Sequence, residues 1–196
     1  MEIVLATHNL HKVREFREML KTLKNVDVVS LLNFPDYHLP EETGKTFCEN
    51  AVLKAEHAAK ALNRWVLADD SGLVVPALQE RPGVYSQRYA GEDASDAENK
   101  KKLLDEMQHL VEIERSAYFE CCLALASPEG LKKTVTGKCE GYIASKERGR
   151  NGFGYDPLFI KNDYKETFAE LDEHTKNRIS HRRKALDKLL AILEAL

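Results

Sequence analysis

The sequence predicts an α/β fold built on a mixed β-sheet, and three observations carry that reading. Short apolar runs at 2–6, 26–29 and 65–68 alternate with stretches of helical period, the order expected of βαβ units. Two long β-prone stretches, 117–127 and 131–145, are separated only by Pro128-Glu129-Gly130, the spacing of an antiparallel hairpin. Finally, the 196 residues are 43% apolar and 31% charged, the make-up of an ordinary globular chain long enough for a substantial core.

Each element has its own warrant. Strand 2–6 gives way at Thr7-His8-Asn9 to a helix whose Leu10, Val13, Phe16, Leu20 and Leu23 recur at helical spacing. Residues 31–45 carry two prolines and a glycine and read as an irregular loop ending in Glu41-Glu42-Thr43-Gly44. Thr46 followed by Glu49 is a capping-box signature, and Ala51, Ala55, Ala58 and Ala59 give the next helix a small, closely packing face. Strands are expected at 65–68 and 73–78, with Ala68-Asp69-Asp70-Ser71-Gly72 marking the end of the first. A second capping box, Ser95 with Glu98, opens a charged helix to about residue 110. After the hairpin, the glycine-rich loop 149–154 leads through Tyr155-Asp156-Pro157 to a short strand at 158–160. One C-terminal helix is expected, with Leu186, Leu189, Leu190 and Leu193 on one face. No internal repeat divides the chain, which reads as one domain or a closely joined pair of lobes.

Composition excludes several function classes. A net charge of −3 and dispersed basic residues argue against a nucleic-acid binder, whose basic face would shift that balance. No segment approaches membrane-spanning length, and the N-terminus lacks a basic, then apolar, leader. The four cysteines (Cys48, Cys121, Cys122 and Cys139) form no CxxC pair and read as buried free thiols, so a reducing, cytoplasmic setting is expected. A negative chain that binds polyphosphate must do so through a few placed cations or a metal.

Five groups of residues carry chemistry. Asp69-Asp70-Ser71 follows an apolar run, where ionised groups need compensation. Two readings fit: hard oxygen ligands for a divalent cation such as Mg²⁺, or a turn in which Asp and Ser bond backbone amides. Thr7 through Lys12 form a strand-to-helix turn that aims backbone amides and a lysine at an anion, or else a plain helix cap. Glu41 and Glu42 are loop acids, one of which can complete a Mg²⁺ site begun by Asp70. Gly152-Phe153-Gly154-Tyr155-Asp156 offers a flat ligand an aromatic face between glycines, and Lys176 with Ser180-His181-Arg182 offers donors for a carbonyl oxygen or phosphate.

Taken in order, Thr7-His8-Asn9-Leu10-His11-Lys12, Glu41-Glu42-Thr43-Gly44 with Phe47-Cys48-Glu49-Asn50-Ala51, Ala68-Asp69-Asp70-Ser71-Gly72-Leu73, Pro82-Gly83-Val84-Tyr85-Ser86, Arg88-Tyr89, Gly152-Phe153-Gly154-Tyr155-Asp156-Pro157 and Ile179-Ser180-His181-Arg182 resemble the inosine triphosphate pyrophosphatase family, the XTP/dITP diphosphatases of the Ham1 type. The resemblance implies one domain over 1–196, with two lobes around a long mixed sheet and a cleft between them, assembled as a homodimer. It implies Mg²⁺-dependent hydrolysis of deaminated purine nucleoside triphosphates (dITP, ITP, XTP) to monophosphate and pyrophosphate. By position, Thr7, His8, Asn9, Leu10, His11 and Lys12 match the phosphate-binding turn. Asp70 matches the proton acceptor and metal ligand, Glu42 the second metal ligand, and Ser71 a substrate contact. Phe153, Gly154, Tyr155, Asp156, Lys176, His181 and Arg182 match the base pocket, and Lys54 a further phosphate contact. The family usually carries Gly or Ser where His8 stands, and a glycine where Asn151 stands. Two rivals are a nucleotide-binding module without catalysis, against which Asp69-Asp70-Ser71 speaks, and a Maf-like relative acting on modified pyrimidine or methylated nucleotides. The 152–156 loop and Ser180-His181-Arg182 favour the purine branch.

Overall fold

A computed structural model describes residues 1–196. Its elements are β1 (Glu2–Leu5), α1 (Leu10–Leu20), β2 (Asp27–Ser30), α2 (Phe47–Leu62), β3 (Trp65–Val75), β4 (Arg81–Pro82), α3 (Asp96–Glu106), β5 (Ser116–Ser127), β6 (Gly130–Ile143), β7 (Phe159–Lys161), α4 (Glu173–Ile179), α5 (His181–Asp187) and α6 (Leu190–Ala195). The sheet order is β2-β1-β3-β5-β6-β7, with β4 paired to β3. β1 is parallel to both β2 and β3, as βαβ connections require, and β4 and β7 run antiparallel to their neighbours. The mixed α/β class expected from the sequence is therefore the class observed.

The chain divides into two compact units, the first comprising residues 1–70, 121–137 and 182–196, and the second residues 71–120 and 138–181. In the first, Ile3, Leu5, Leu67, Cys121, Leu123 and Leu125 from three strands pack with Val13, Phe16 and Leu20 of α1 and with Ala185, Leu186 and Leu189. These strand positions are all odd-numbered, so the even-numbered side chains of β3 and β5 stand on the opposite face. In the second unit, Phe119, Phe159 and Phe168 form an aromatic centre, with Phe159 edge-on to both others at 4.8 and 4.9 Å.

Three expectations are corrected. β3 does not stop at Ala68 but continues through Asp69, Asp70, Ser71 and Gly72 to Val75. Pairing within the sheet and side-chain partners for both carboxylates outweigh the low strand propensity of Asp-Asp-Ser-Gly. The last helix, expected with Ser180-His181-Arg182 at its start, does begin at His181 after the extended Ser180 that ends α4, but it is two helices because the chain turns near Leu189; Leu186, Leu189 and Leu193 are buried as expected. The cysteines are not four free thiols: Cys48 and Cys122 are joined in a disulfide, and Cys121 and Cys139 remain free and buried.

Candidate active site

Because β3 runs unbroken, its period of two sends Asp69 and Asp70 to opposite faces. On one face Asp69 Oδ2 meets Lys12 Nζ at 2.6 Å and Arg182 Nε at 3.5 Å, and its Oδ1 accepts a hydrogen bond from Cys121 Sγ at 3.0 Å. Arg182 also donates to Glu15 at 2.9 Å. Burial alone would push the Asp69 carboxyl up, but the charges of Lys12 and Arg182 and the Cys121 hydrogen bond together hold it far below the usual carboxylate range. Glu15 was not anticipated. Its sequence signal is slight, an acid beside Phe16 on the face of α1 that is buried.

On the opposite face, Asn50 of α2 donates from Nδ2 to Asp70 Oδ2 at 3.0 Å. Its Oδ1 accepts from the Gly44 amide at 2.8 Å, tying the loop that carries Glu42 to the strand that carries Asp70. Gly44 is required by that approach, since a Cβ there would lie 2.5 Å from Asn50 Oδ1. Lys54 Nζ donates to Glu42 Oε1 at 2.6 Å and to the Asp69 carbonyl at 2.9 Å, and stands 3.6 Å from Asp70 Oδ1. Burial raises the Asp70 carboxyl, and Glu42 adds to the rise, outweighing the opposing pull of Lys54, Lys12 and the Asn50 hydrogen bond. Lys54 is raised in turn, because Asp70 and Glu42 overcome the burial that would lower it. Glu41 is exposed and has no such place.

The residues that can hold a metal are thus Glu42 and Asp70, two carboxylates facing the same ammonium. No group of three or more His, Cys, Asp or Glu side chains is gathered for an all-protein cage. Mg²⁺ commonly uses one or two carboxylates and takes its other oxygens from water and substrate phosphates, so this donor pair fits it.

The strand-to-helix turn is more self-contained than its sequence implied. Asn9 Oδ1 accepts from the amides of His11 at 2.9 Å and Lys12 at 3.2 Å, and Thr7 Oγ1 accepts from the Asn9 amide at 3.1 Å. Asn9 therefore occupies as helix cap two amides expected to face an anion. His8, Leu10 and His11 lie outward, and Leu10 is 63% exposed. Lys12, the expected phosphate contact, rests on Asp69.

In the second unit, Asp156 organises the glycine-rich loop. Its Oδ2 accepts from the Phe153 amide at 2.9 Å and from Lys176 Nζ at 2.5 Å, with both charged groups buried. Lys176 Nζ also lies 4.9 Å from the centroid of Phe153, which is half-buried. Gly154 donates its amide to Asp96. Tyr155 is buried and donates its hydroxyl to the Ser86 carbonyl at 2.9 Å. His181 is stacked on Phe119 at 4.8 Å, and Ser71 is half-buried on β3. The structure thus joins Phe153, Asp156 and Lys176 in one cluster, and joins Lys12 and Arg182 in another around Asp69.

Comparison with known proteins identifies the family. The profile of the Ham1 family matches residues 3–192. The chain belongs to the Ham1 family. Over its full length this Ham1 chain is 64% identical to the dITP/XTP pyrophosphatase of Protochlamydia amoebophila, covering 99% of that protein. It is 54% identical to the dITP/XTP pyrophosphatase of Chlamydia abortus, covering 96% of it. Among solved structures, a HAM1 protein from Coxiella burnetii superposes with a TM-score of 0.89 at 44% identity, each chain fully covered. The Ham1 protein of Staphylococcus aureus gives 0.86, also at 44% identity, covering all of this chain and 99% of that one.

Proposed function

We propose that this Ham1 chain is a nucleoside triphosphate pyrophosphatase that converts dITP, ITP and XTP to the monophosphate and pyrophosphate with Mg²⁺, acting as a cytoplasmic homodimer. Family membership and relatives named dITP/XTP pyrophosphatases support the reaction class. The observation that carries the chemistry is the Glu42–Lys54–Asp70 arrangement, where two carboxylates converge on one cation.

Bound between Glu42 and Asp70, Mg²⁺ would neutralise and orient the triphosphate and favour departure of pyrophosphate. Asp70, whose carboxyl is raised by burial, orients the attacking water and takes its proton. Asn50 keeps that carboxylate aligned. Lys54 is placed to shift from Glu42 to a phosphate oxygen when the carboxylates gain another cation. Lys12 draws on the same logic at the turn of residues 7–12, where its charge is available to a tetra-anion at the expense of Asp69.

For the base, the proposal assigns Phe153 to stacking and Lys176, His181 and Arg182 to donors that favour the 6-oxygen of hypoxanthine and xanthine. Adenine presents an amino group there, which leaves such donors unsatisfied, a mismatch worth several powers of ten. The protein, supplied separately with ITP, XTP, dITP, GTP and ATP in Mg²⁺, is expected to release monophosphate and pyrophosphate selectively from the first three. Equal release from all five discards the base readout. Nucleotide binding with no pyrophosphate from any discards catalysis.

A further inference from the structure

Cys48 lies in the first turn of α2, half-buried, and Cys122 lies on β5, fully buried, with Cα atoms 5.1 Å apart. The pairing follows from strand geometry. Cys121 stands on the face of Asp69 and donates to it, so the period of two sends Cys122 to the other face, where α2 lies. Two residues beyond Cys48 on α2 is Asn50, which holds Asp70 through Nδ2 and the Glu42 loop through Oδ1. The link between Cys48 and Cys122 therefore fixes to the sheet the helical turn whose asparagine sets the two carboxylates relative to each other.

We propose that Cys48 and Cys122 form a thiol–disulfide modification site for low-molecular-weight disulfides, and that the oxidised state strengthens divalent-cation binding at Glu42 and Asp70. The second half rests on the reading of that pair given above; the first does not. Cys48, the more accessible partner, attacks one sulfur of the small disulfide as thiolate and forms a mixed disulfide, releasing one small thiol. The Cys122 thiolate then attacks Cys48 Sγ, closing the internal disulfide and releasing the second small thiol. Two electrons pass from the protein dithiol to the small disulfide, and the two thiol protons end on the two released thiols. Excess small thiol reverses both steps. Cys121 does not compete, because it stands on the opposite face of β5 from Cys48 and is engaged with Asp69.

The test uses the full chain after oxidised glutathione and, separately, after reduced glutathione. Alkylation under denaturing conditions is expected to spare only Cys48 and Cys122 in the first sample and to modify all four cysteines in the second. Alkylation of all four in both samples overturns the proposal. Titration with Mg²⁺ alone, followed calorimetrically without nucleotide, is expected to show about tenfold tighter binding to the oxidised form, the scale of lost support for a metal ligand. The half-buried variant Cys48→Ser keeps the test usable should Cys122→Ala fail to fold, and it is expected to bind Mg²⁺ like the reduced protein in either glutathione sample. Equal Mg²⁺ affinity in both states, with pyrophosphate still released, overturns the regulatory role and leaves the proposed reaction standing. A redox-dependent Mg²⁺ affinity without pyrophosphate release sinks the reaction and leaves this site standing. No Mg²⁺ binding to the nucleotide-free protein in either state overturns the regulatory half, while the alkylation pattern decides the disulfide site and pyrophosphate release decides the reaction.

Discussion

On one face of β3, two cations and a thiol close around the single carboxylate of Asp69, with Glu15 balancing the second cation. On the other face, the ammonium of Lys54 is shared among Glu42, Asp70 and a backbone carbonyl. Neighbouring residues of identical chemistry thus have opposite electrostatic settings, and the shifts of their carboxyl groups run in opposite directions. A carboxylate surrounded by positive charge is satisfied and holds the fold. Two carboxylates converging on one ammonium leave Asp70 raised, and a divalent cation or a proton-accepting role can use that setting.

The sharpest way to break this contrast is Asp70→Asn. Loss of the proton acceptor is expected to lower kcat by about 10³-fold, within the usual range for a general base. Folding should survive, because the substitution removes a carboxyl whose ionised form the fold already disfavours. Pyrophosphate release and the melting temperature are the two readouts, and near-normal turnover would remove Asp70 from its role. Asp69→Asn is expected to do the reverse. It leaves Lys12 and Arg182 without their shared carboxylate in a buried setting, a change worth about 3–5 kcal/mol and on the order of 10 °C in a chain of this size. A variant as stable as the parent would show that the Asp69 cluster does not hold the fold.

A pH series sharpens the same comparison. Asp69 has a folded-state value below its unfolded value, near ~3.9, so its contribution is complete above that point and drains away as pH falls toward the folded value. Asp70 has a folded-state value above its unfolded one, so its contribution is greatest below ~3.9 and declines as pH rises through the raised value. Melting temperatures of the metal-free protein between about pH 3 and pH 7 should therefore fall less steeply toward acid in Asp69→Asn than in the parent. Asp70→Asn should gain on the parent as pH rises. Parallel curves for all three proteins would contradict the assigned directions.

How much of this was legible in the sequence follows from how far each signal reaches. Local rules were sufficient for the caps at Thr46 and Ser95, the hairpin of β5 and β6, and the buried face of Leu186, Leu189 and Leu193. Family likeness pointed to Asp70, Glu42 and Lys54, which the structure does gather. The pentapeptide 68–72 misled, because its polar residues read as a strand end, while their partners lie on α1, α2 and α5, far away in sequence. Glu15 was missed, and Asn50, though part of the family motif, carried no assigned role, for the same reason: a polar residue on a helix face shows its purpose only when the opposite strand is in place. The Cys48–Cys122 pairing links residues 74 apart in sequence, beyond what spacing can indicate. For Arg182 the motif gives a base contact and shows nothing of the buried pairing with Glu15 and Asp69, whose partners lie far away in sequence.

The contrast between a closed carboxylate and a shared ammonium extends, with a smaller expected effect, to Asp156. Like Asp69 it is buried against one ammonium, and it also accepts from the Phe153 amide. Gly152 makes this possible. Its φ of +75° is one that side chains rarely adopt, and a Cβ there would fall 2.0 Å from Asp156 Oδ2. Gly152→Ala must therefore strain the loop or displace Asp156, at a cost of about 1–3 kcal/mol. If Asp156 merely holds the fold, as Asp69 does, the melting temperature should drop by a few degrees while preference for ITP over ATP stays as it was. Under the proposed function, Phe153 and Lys176 move with Asp156, and that preference should fall by about tenfold or more, some 1.4 kcal/mol. Steady-state kcat/KM for both nucleotides in the variant separates the two, and a lowered stability with an unchanged ratio would return the 152–156 loop to a structural role.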